Sequence, residues 1–288
     1  MAVARKTILI TGCTVGGIGG GLAEVFLEKG YHVFAGLRNP SKASPTLTKS
    51  SHVTLLTLDV LRAESITSAV ERVTTQTGGK LDILLNNSGG NLILPGLDVP
   101  IEKAKQMFDL NFWAPVAMIQ AFAPLLIKAR GTIVNNTSVN AVVPMPLMSM
   151  YNASKAALAT ASDTWRIELE PLGVRVIALA TMGVKTNAFV NKTMVELPKS
   201  SQYWDIREFI YGIYDGRLQS SGITTNEYAQ KVYHEVESGV SGITWVGGGA
   251  GMARFSWWLF PRSLRDMLVE SIMPFKKEMA KASQKKKV

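Results

Sequence analysis

Short apolar runs alternate with segments of helical spacing along most of the chain. The runs are rich in Val, Ile and Leu and show little polar alternation, which is typical of strands buried on both faces of a parallel sheet. Seven such runs can be located: KTILITG, HVFAGL, VTLLTLD, LDILLNNSG, GTIVNNTS, VRVIALAT and GITWVGG. Because strands and helices alternate, we expect right-handed crossovers and an α/β fold with a doubly wound, seven-stranded parallel sheet flanked by helices.

A glycine-rich segment, TGCTVGGIGGGLAEVF, joins the first predicted strand to the first predicted helix. Gly12, Gly17 and Gly19 allow a tight turn and let backbone N–H groups approach a pyrophosphate. A flexible turn would have a similar composition, but the position between the first strand and the first helix favours a dinucleotide-binding loop of the Rossmann type. A later glycine run at 247–251 is interpreted as a loop, because no clear helix opening follows it.

The residues that follow the second strand indicate which dinucleotide binds. Leu37 offers no carboxylate for the ribose hydroxyls of NAD, whereas Arg38 offers a guanidinium that suits the additional phosphate of NADP. The alternative interpretation of Arg38 is a solvated loop charge. The sequence favours NADP(H) as the cofactor.

Tyr151 and Lys155 are spaced to share one face of a helix. They lie four residues apart in YNASK, and Ser138 lies thirteen residues upstream of Tyr151 at the end of a predicted strand. A neighbouring cation favours the phenolate and lowers a phenol pKa that starts near ~10. The trio therefore predicts a proton-transfer site, with Ser138 placed to hydrogen-bond a carbonyl oxygen. The alternative for the Tyr–Lys spacing alone is a packed tyrosine beside a solvated lysine.

Composition narrows the class of protein. The 288 residues are 47% hydrophobic and 18% charged, as in a globular domain. The single Cys13 excludes an intrachain disulfide and fits a reducing, cytoplasmic compartment, and three scattered histidines predict no metal site.

A strand-like run begins within six residues of Met1, which leaves no room for a signal peptide. The most apolar stretch, 243–260, is broken by glycines and Arg254, so we expect no spanning helix.

We find no internal repeat and no linker, so the chain is expected to form a single domain. Residues 1–260 would form a Rossmann-type dinucleotide-binding and catalytic domain. Within it, the pattern loosens at about 183–240 into polar and aromatic segments. A substrate-binding insertion there would lie at the carboxyl edge of the sheet, where ligands of open α/β sheets bind. Residues 261–288 would form a basic C-terminal helix or tail.

Much of the formal charge of +9 comes from the C-terminus. Six lysines crowd the last thirteen residues, which follow an aromatic stretch that contains Trp257, Trp258 and Phe260. Aromatic residues are not interleaved with a basic face in the main body, so we expect no nucleic-acid partner. The lysines alone are typical of a solvated tail. For the aromatic stretch three alternatives stand: peripheral contact with a membrane, a subunit interface, or closure of the substrate pocket.

With these motifs in place, the chain resembles the short-chain dehydrogenase/reductase family over nearly its whole length. The resemblance rests on the TG…GIG loop from Thr11 to Gly19, Asp59-Val60 after the third strand, NNSG at 86–89, Asn111, the trio Ser138, Tyr151 and Lys155, and GVKT at 183–186. It implies an NADP(H)-dependent oxidoreductase with a Rossmann fold that acts on a small-molecule ketone or alcohol. It also implies a homo-oligomer, either a dimer or a tetramer.

The resemblance implies a role for each matching residue. Tyr151 would be the general acid, Lys155 would hold the nicotinamide ribose and lower the phenol pKa, and Ser138 would polarise the substrate carbonyl. Asn111 would hold a water in a proton relay through Lys155, or it is a satisfied polar residue near the kink expected at Pro115. The implied cofactor contacts are Gly12, Thr14, Gly17, Ile18, Gly19, Arg38, Asp59, Val60, Asn87, Tyr151, Lys155, Val184 and Thr186.

Three positions depart from the family's pattern. The glycine loop has one residue more than the usual TGxxxGxG spacing, Ser88 replaces an alanine, and Thr181-Met182-Gly183 stands where Pro-Gly is typical. None of these changes removes a reacting group, so we expect an active enzyme. Asp59 would bind the adenine edge, the alternative being a helix cap before LRAESI.

Two hypotheses for the substrate follow. GKLDILLNNSG, IKARGTIV and LFPRSL followed by lysines resemble fungal 1-acyldihydroxyacetone-phosphate reductases. That resemblance implies NADPH-dependent reduction of an apolar or lipid-like ketone, in the cytoplasm or on the surface of the endoplasmic reticulum or a lipid droplet. The second hypothesis is a fungal secondary-metabolite reductase for a cyclic, polyketide or terpenoid intermediate, with or without a cyclisation role. An apolar substrate, or ordinary packing, would explain Met145, Met148, Met150, Tyr203, Trp204, Phe209 and Tyr211.

Overall fold

One sheet of seven parallel strands forms the centre of the protein. The computed structural model describes residues 5–186, 195–215 and 222–285. The strand order β3-β2-β1-β4-β5-β6-β7 confirms the predicted doubly wound α/β fold. The strands are β1 (Thr7–Thr11), β2 (His32–Leu37), β3 (Val53–Thr57), β4 (Ile83–Asn86), β5 (Thr132–Asn136), β6 (Arg175–Met182) and β7 (Gly242–Gly247).

Helices cover both faces of the sheet. They are α1 (Ile18–Glu28), α2 (Pro45–Thr48), α3 (Ala63–Thr77), α4 (Ile101–Phe108), α5 (Ala114–Ala129), α6 (Ser149–Leu169), α7 (Arg207–Gly212), α8 (Thr225–Glu237), α9 (Ala250–Leu259), α10 (Arg262–Ile272) and α11 (Phe275–Lys285). Helices α1 and α8 pack on one face, and α3, α5 and α6 pack on the other. The layers are those of a single Rossmann domain.

Strand β1 shows how the sequence builds the two layers. Successive side chains of a strand point to opposite faces. Ile8 and Ile10 accordingly join the cluster that contains Tyr228 of α8, and Leu9 joins the cluster that contains Phe122 of α5. All five side chains have 0% exposure, and burying each large apolar side chain contributes roughly 1.5–3 kcal/mol. This two-sided burial explains why the strands lack polar alternation.

The order of strands reverses between β1 and β4, which places two loops side by side. Strand β1 pairs with β2 on one side and with β4 on the other. The Thr11 hydroxyl at the end of β1 accepts hydrogen bonds from the backbone N–H groups of Asn87 (3.0 Å) and Ser88 (2.9 Å) beyond β4. A crevice at the carboxyl ends of the strands, where the order reverses, is where such sheets bind ligands.

The long helical segment at 101–129 is interrupted by a π-helical turn at Asp109–Trp113, just before Pro115. This turn is the interruption that the sequence anticipates at Pro115, displaced by one turn towards the N-terminus. In the described part of the chain, 101–129 is the one helical stretch whose length and apolar composition would suffice to cross a membrane. Its Phe122 and Leu126 are fully buried against the sheet, as in a core helix.

The glycine run at 247–251 is not the loop that we expect from the sequence. Helix α9 begins at Ala250, directly after Gly249, whose φ of 75° is left-handed and suits glycine. The interpretation as a loop is therefore wrong from Ala250 onward. The helix start has no side-chain cap, so the sequence carries none of the residues that usually mark one.

Most of the predicted insertion and C-terminal segment lies in the described part of the chain. Residues 187–194 and 216–221 of the insertion, and Lys286 and Lys287 of the lysine-rich end, lie outside the described residues. The described part of 261–288 forms α10 and α11. The domain boundary after residue 260 stays a prediction.

Candidate active site

The glycine-rich segment forms a close-packed turn between β1 and α1. Gly12 and Gly16 have φ values of 76° and 74°, which are left-handed and favour glycine. A methyl group on Gly19 would lie 2.4 Å from the carbonyl oxygen of Gly12, and one on Gly20 would lie 2.7 Å from that of Thr14. The sequence prediction included Gly12 and Gly19 but missed Gly16 and Gly20. The sequence signal for these two glycines was the one residue by which the loop exceeds the usual TGxxxGxG spacing.

The crest of this turn offers backbone N–H groups to an anion. Gly17 is the N-cap of α1, and the first intrahelical bond runs from Gly21 N–H to its carbonyl, which leaves the N–H groups of Ile18 and Gly19 outside the helical pattern. The first turn of α1 contains no acidic residue. Because Thr14 at the crest is exposed, a phosphate could approach the positive end of the helix dipole there.

The turn is attached to the end of β2, where Arg38 lies. The N–H groups of Gly12 (2.9 Å) and Cys13 (3.1 Å) both donate to the carbonyl of Gly36. Val15 N–H donates to the carbonyl of Lys42 at 2.9 Å. Arg38 follows β2 directly and is exposed. Its guanidinium therefore stands at the same sheet edge as the glycine turn.

Asp59 and Val60 follow β3 at the next position along this edge. One carboxylate oxygen of Asp59 accepts the N–H of Leu61 at 3.1 Å, and the N-cap of α3 is Arg62. Asp59 thus closes a turn ahead of α3 and does not cap the helix. Val60 is 8% exposed and shares a small crevice with Thr11. Val60 thus lies beside the switch point of the sheet, and the adenine contact of Asp59 stays a prediction.

A hydrogen-bond chain crosses the sheet beneath the crevice. The amide of Asn87 donates to the carbonyl of Thr11 at 2.8 Å, and Asn136 donates to the amide oxygen of Asn87 at 2.9 Å. The Thr181 hydroxyl donates to the amide oxygen of Asn136 and is 2.6 Å from the hydroxyl of Tyr228. Sequence reasoning found only Asn87 in this chain. Asn136 and Thr181 could have been found from the sequence, because they are polar residues at the ends of the buried strands β5 and β6.

The structure brings Ser138 and Tyr151 into direct contact. Ser138 follows β5, and Tyr151 lies in the first turn of α6. The Ser138 hydroxyl hydrogen-bonds the phenol, and its oxygen also accepts the N–H of Asn140 at 3.1 Å. The fold therefore places Ser138 beside the phenol, and its hydrogen bond to a substrate carbonyl stays a prediction.

Lys155 lies one turn further along α6 and is 6% exposed. Its ammonium donates to the backbone carbonyl of Asn136 at 2.8 Å. Burial lowers the pKa of Lys155 to about 8. A pKa of that size leaves the group mainly protonated at pH 7, so a cation is held inside the site.

The pKa of Tyr151 moves in the direction opposite to our expectation from the sequence. Burial raises the pKa of the phenol, and the hydrogen bond from Ser138 partly opposes that effect. Desolvation disfavours the charged phenolate, and it outweighs the hydrogen bond from Ser138. The phenol is therefore in its protonated form at neutral pH, which is the form a proton donor needs.

Asn111 is fully buried and holds the loop after β4. Its amide oxygen accepts Gly90 N–H at 2.9 Å, and its amide nitrogen donates to the Gly90 carbonyl and to the Ser154 hydroxyl, both at 3.0 Å. A methyl group on Gly89 would lie 3.2 Å from the Asn111 oxygen and 3.4 Å from the Lys155 nitrogen. Asn111 is thus a satisfied polar residue that lies near Lys155. A role in a proton relay stays a prediction.

Val184 and Thr186 lie beyond β6 on the far side of the crevice. Val184 is buried and forms a parallel bridge with Ile223. Thr186, Lys185 and Gly16 of the glycine turn line one cleft of ≈ 350 Å³. Thr186 therefore shares a cleft with the glycine turn, whereas Val184 is buried behind it, and the cofactor contacts of both residues stay predictions.

A cluster of apolar side chains adjoins Tyr151. We call it the carboxyl-edge cluster; its buried members are Leu92, Ile93, Leu94, Leu147, Met148, Leu197, Ile206, Ile210, Ile213 and Met273. Tyr151 itself packs against this cluster. Of the apolar residues singled out in the sequence, Met145, Met148, Tyr203, Trp204, Phe209 and Tyr211 belong to it, and Met150 does not.

These features fit a nicotinamide dinucleotide such as NADP(H). The glycine turn has no room for side chains and would hold the pyrophosphate, and Arg38 is exposed where the adenosine ribose phosphate would lie. The buried ammonium of Lys155 is available to a ribose hydroxyl beside Tyr151. Within residues 5–186, 195–215 and 222–285 there is no group of three His, Cys, Asp or Glu residues that could hold a metal ion.

Comparison with known proteins identifies the family of this chain. The family model described as "short chain dehydrogenase" matches residues 6–196. A short-chain dehydrogenase of Penicillium ochrochloron, ptmH, is 43% identical over 268 residues, which cover 92% of this chain and 96% of that protein. An NADPH-dependent 1-acyldihydroxyacetone phosphate reductase of Schizosaccharomyces pombe is 38% identical over 237 residues, or 81% of this chain and 79% of that protein.

A solved structure shows the same architecture with a cofactor. The crystal structure of a short-chain dehydrogenase from Burkholderia cenocepacia in complex with NADP superposes with a TM-score of 0.73 at 26% sequence identity. The match covers 93% of this chain and 99% of that chain. With the glycine turn, the Ser138–Tyr151 contact and the buried Lys155, the chain belongs to the short-chain dehydrogenase family of NAD(P)-dependent oxidoreductases.

Proposed function

We propose that this protein reduces a ketone to an alcohol with NADPH, on an apolar or lipid-like substrate of the acyl-dihydroxyacetone-phosphate type. The observation that carries the proposal is the position of Tyr151. Its hydroxyl is hydrogen-bonded by Ser138, and its ring packs against the carboxyl-edge cluster. A carbonyl oxygen placed between the two hydroxyls would have an apolar wall beside it.

The site residues divide the chemistry between them. Bound NADPH supplies the hydride. Tyr151 donates the proton to the carbonyl oxygen, since burial raises its pKa and keeps the phenol protonated. Ser138 orients the carbonyl through a hydrogen bond. Lys155, held by the carbonyl of Asn136, binds the nicotinamide ribose and returns a proton towards Tyr151, with Asn111 next to it as the start of a relay to solvent.

The preference for NADP(H) over NAD(H) is part of the proposal. Arg38 supports it, because an exposed guanidinium beside the glycine turn suits a phosphate on the ribose. The relative from Schizosaccharomyces pombe is named as NADPH-dependent, and the relative from Burkholderia cenocepacia was crystallised with NADP. Both relatives support the same cofactor for this chain.

A second candidate is reduction of an uncharged biosynthetic intermediate, such as a cyclic, polyketide or terpenoid ketone, with or without a cyclisation role. A phosphorylated substrate needs a cation beside the pocket, and Arg207 is the cation nearest in sequence to Trp204 in the carboxyl-edge cluster. Its guanidinium is stacked 4.9 Å from the ring of Trp204, donates to the Trp204 carbonyl and pairs with Glu208. This engagement of Arg207 favours a substrate without a phosphate.

A substrate panel separates the two candidates. The purified protein is mixed with NADPH and either acyl-dihydroxyacetone phosphate or bulky cyclic ketones, and the absorbance of NADPH is followed. A higher kcat/KM for the acyl substrate supports the first candidate. A strong preference for cyclic ketones removes it, and no turnover on any ketone contradicts the proposed reaction itself.

The proposal includes an assembly state and a location. We propose a cytoplasmic homo-oligomer, a dimer or a tetramer, with peripheral contact to the endoplasmic reticulum or a lipid droplet through the C-terminus. The resemblance to short-chain dehydrogenases supports the oligomer, and the aromatic and basic C-terminal sequence supports the contact. Light scattering during size-exclusion chromatography tests the assembly state, and a monomeric mass would contradict it.

A further inference from the structure

Helices α9 and α10 turn their large apolar side chains outward. The described chain has 18 exposed large hydrophobic residues, and eight of them fall within 250–272. Exposure is 86% for Trp258, 70% for Met252 and 67% for Met267. Single exposed apolar residues are ordinary, but a concentration of this kind marks an interaction surface.

The eight residues form stripes and are not scattered. On α10, Leu264, Met267, Leu268 and Ile272 follow the i, i+3, i+4, i+8 spacing of a single helix face. On α9, the exposed residues Met252, Phe255, Trp258 and Leu259 follow an i, i+3, i+6, i+7 spacing, which also keeps them on one side of the helix. We call these eight residues the α9–α10 face. A surface helix normally turns such a stripe inward, so this face lacks its partner within the monomer.

Basic residues flank this face in the sequence. The sequence from residue 250 to the C-terminus contains nine Lys or Arg and three Asp or Glu, which gives +6 of the chain's +9. Among them, Arg254, Arg262, Lys276, Lys277 and Lys281 are exposed. An apolar helix face with aromatic residues and flanking cations is the pattern of helices that lie in a membrane interface.

We propose that the α9–α10 face docks on an anionic lipid surface. Apolar side chains would enter the boundary between headgroups and acyl chains, and each nearby Lys or Arg would add about 1 kcal/mol of attraction to anionic headgroups. A second copy of the chain is the weaker occupant, because pairing this face with itself would bring two strongly basic segments together. Charge complementarity therefore selects the lipid.

The face adjoins the carboxyl-edge cluster. Met273 follows α10 directly and is 1% exposed within that cluster, and the Phe275 ring lies 5.8 Å from that of Tyr203. Helix α9 starts where a methyl group on Gly249 would touch the side chain of Met182 at the end of β6. An apolar ketone could thus pass from the lipid to Tyr151 over a short distance. The docking gives the membrane contact of the proposed function a defined surface, and this last step also rests on the proposed reduction.

Vesicle flotation tests the docking. Full-length protein is floated with phosphatidylcholine vesicles and with vesicles that also contain phosphatidylserine, and the bound fraction is compared with that of Trp258→Ser/Met267→Ser. We expect binding to the anionic vesicles, weakened by salt, and a loss of at least about tenfold in the double variant, since it removes two large apolar side chains from the lipid contact. The matched control is Leu97→Ser/Ile167→Ser, which removes exposed apolar residues elsewhere and should bind as the wild type does.

Two further readouts separate this proposal from its competitors. Turnover of a water-soluble ketone by Trp258→Ser/Met267→Ser should equal that of the wild type, because neither residue belongs to the active site. Failure of the wild type to bind anionic vesicles overturns the docking, even if the protein reduces ketones. If the double variant also changes from an oligomer to a monomer by light scattering while vesicles bind neither protein, the face is a subunit interface.

Discussion

The ammonium of Lys155 donates to the backbone carbonyl of Asn136 at 2.8 Å, and this bond ties the predicted proton-transfer site to the centre of the sheet. The side chain of Asn136 is in turn held by Asn87 from β4 and by Thr181 from β6. A buried ammonium needs a fixed acceptor, and a polar network that is fully satisfied is rigid. The position of Lys155 therefore depends on residues that lie far from it in the sequence.

Replacing Thr181 tests this dependence. Thr181→Val should lower the free energy of unfolding by about 1–3 kcal/mol, because it removes the donor to Asn136 and the partner of the buried Tyr228 hydroxyl. The kcat should fall more than the KM for the ketone rises, since Asn136, whose backbone carbonyl holds Lys155, loses one of the hydrogen bonds that fix its side chain. Urea unfolding and steady-state kinetics measure the two effects. Thr181→Ser keeps the hydroxyl and is the control; equal values for both variants would contradict the account.

Lys155 should make stability depend on pH. Burial lowers its pKa from 10.5 to about 8, so between these pH values the unfolded state binds more protons than the folded state. The buried ammonium therefore destabilises the folded state fully below pH 8, and this destabilisation disappears as the pH rises towards 10.5. Between pH 7 and pH 10 the free energy of unfolding of the wild type should therefore rise by up to about 3 kcal/mol relative to that of Lys155→Met. Both proteins are measured without cofactor.

The measurement is urea unfolding at both pH values. The matched control is Lys103→Met, which removes an exposed lysine on α4 and should show no such shift. If the difference in unfolding free energy between Lys155→Met and the wild type stays constant with pH, the ammonium is not desolvated in the fold.

The glycine turn gives a steric prediction. Gly19→Ala places a methyl group 2.4 Å from the Gly12 carbonyl, so the turn must shift, at a cost of about 1–3 kcal/mol in stability and with weaker NADPH binding. Gly251→Ala is the control, because a methyl group there meets nothing within 4 Å and alanine favours the helix. Thermal unfolding and NADPH titration decide the case. Wild-type NADPH affinity in Gly19→Ala would contradict the predicted role of the turn.

Arg38 should set the choice of cofactor. Arg38→Ala should raise the KM for NADPH by roughly 10- to 100-fold, because a hydrogen bond between charged groups contributes about 1.5–3 kcal/mol. The KM for NADH should change little. Arg72→Ala, which removes an exposed arginine from α3, serves as the control. Equal effects on the two cofactors would mean that Arg38 does not contact the phosphate.

The sequence predicts the fold well because its signals are local. Val, Ile and Leu runs mark strands that are buried on both faces, and the glycine turn and the Tyr151–Lys155 spacing are each contained in a few residues. Features that depend on distant partners could not be predicted in this way. Thr181 meets Asn136 across 45 residues of sequence and Tyr228 across 47.

The other differences have similar physical causes. Helix α9 begins at Ala250, after Gly249, without a side-chain cap, so no residue in the sequence indicates its start. The pKa of Tyr151 follows from burial, which is a property of the packed structure, and the spacing to Lys155 suggests the opposite direction. The outward stripes on α9 and α10 have the periodicity of buried helices, and only the fold shows which way they face.

The most direct test of the central claim is the Tyr151→Phe variant, assayed with NADPH and a ketone that the wild type reduces. The substitution removes the phenol oxygen and leaves the ring packed against the carboxyl-edge cluster, so folding and NADPH affinity should be preserved. Loss of a positioned proton donor should lower kcat by about 10²- to 10⁴-fold. Turnover of the variant at the wild-type rate would contradict the assignment of Tyr151 as the proton donor.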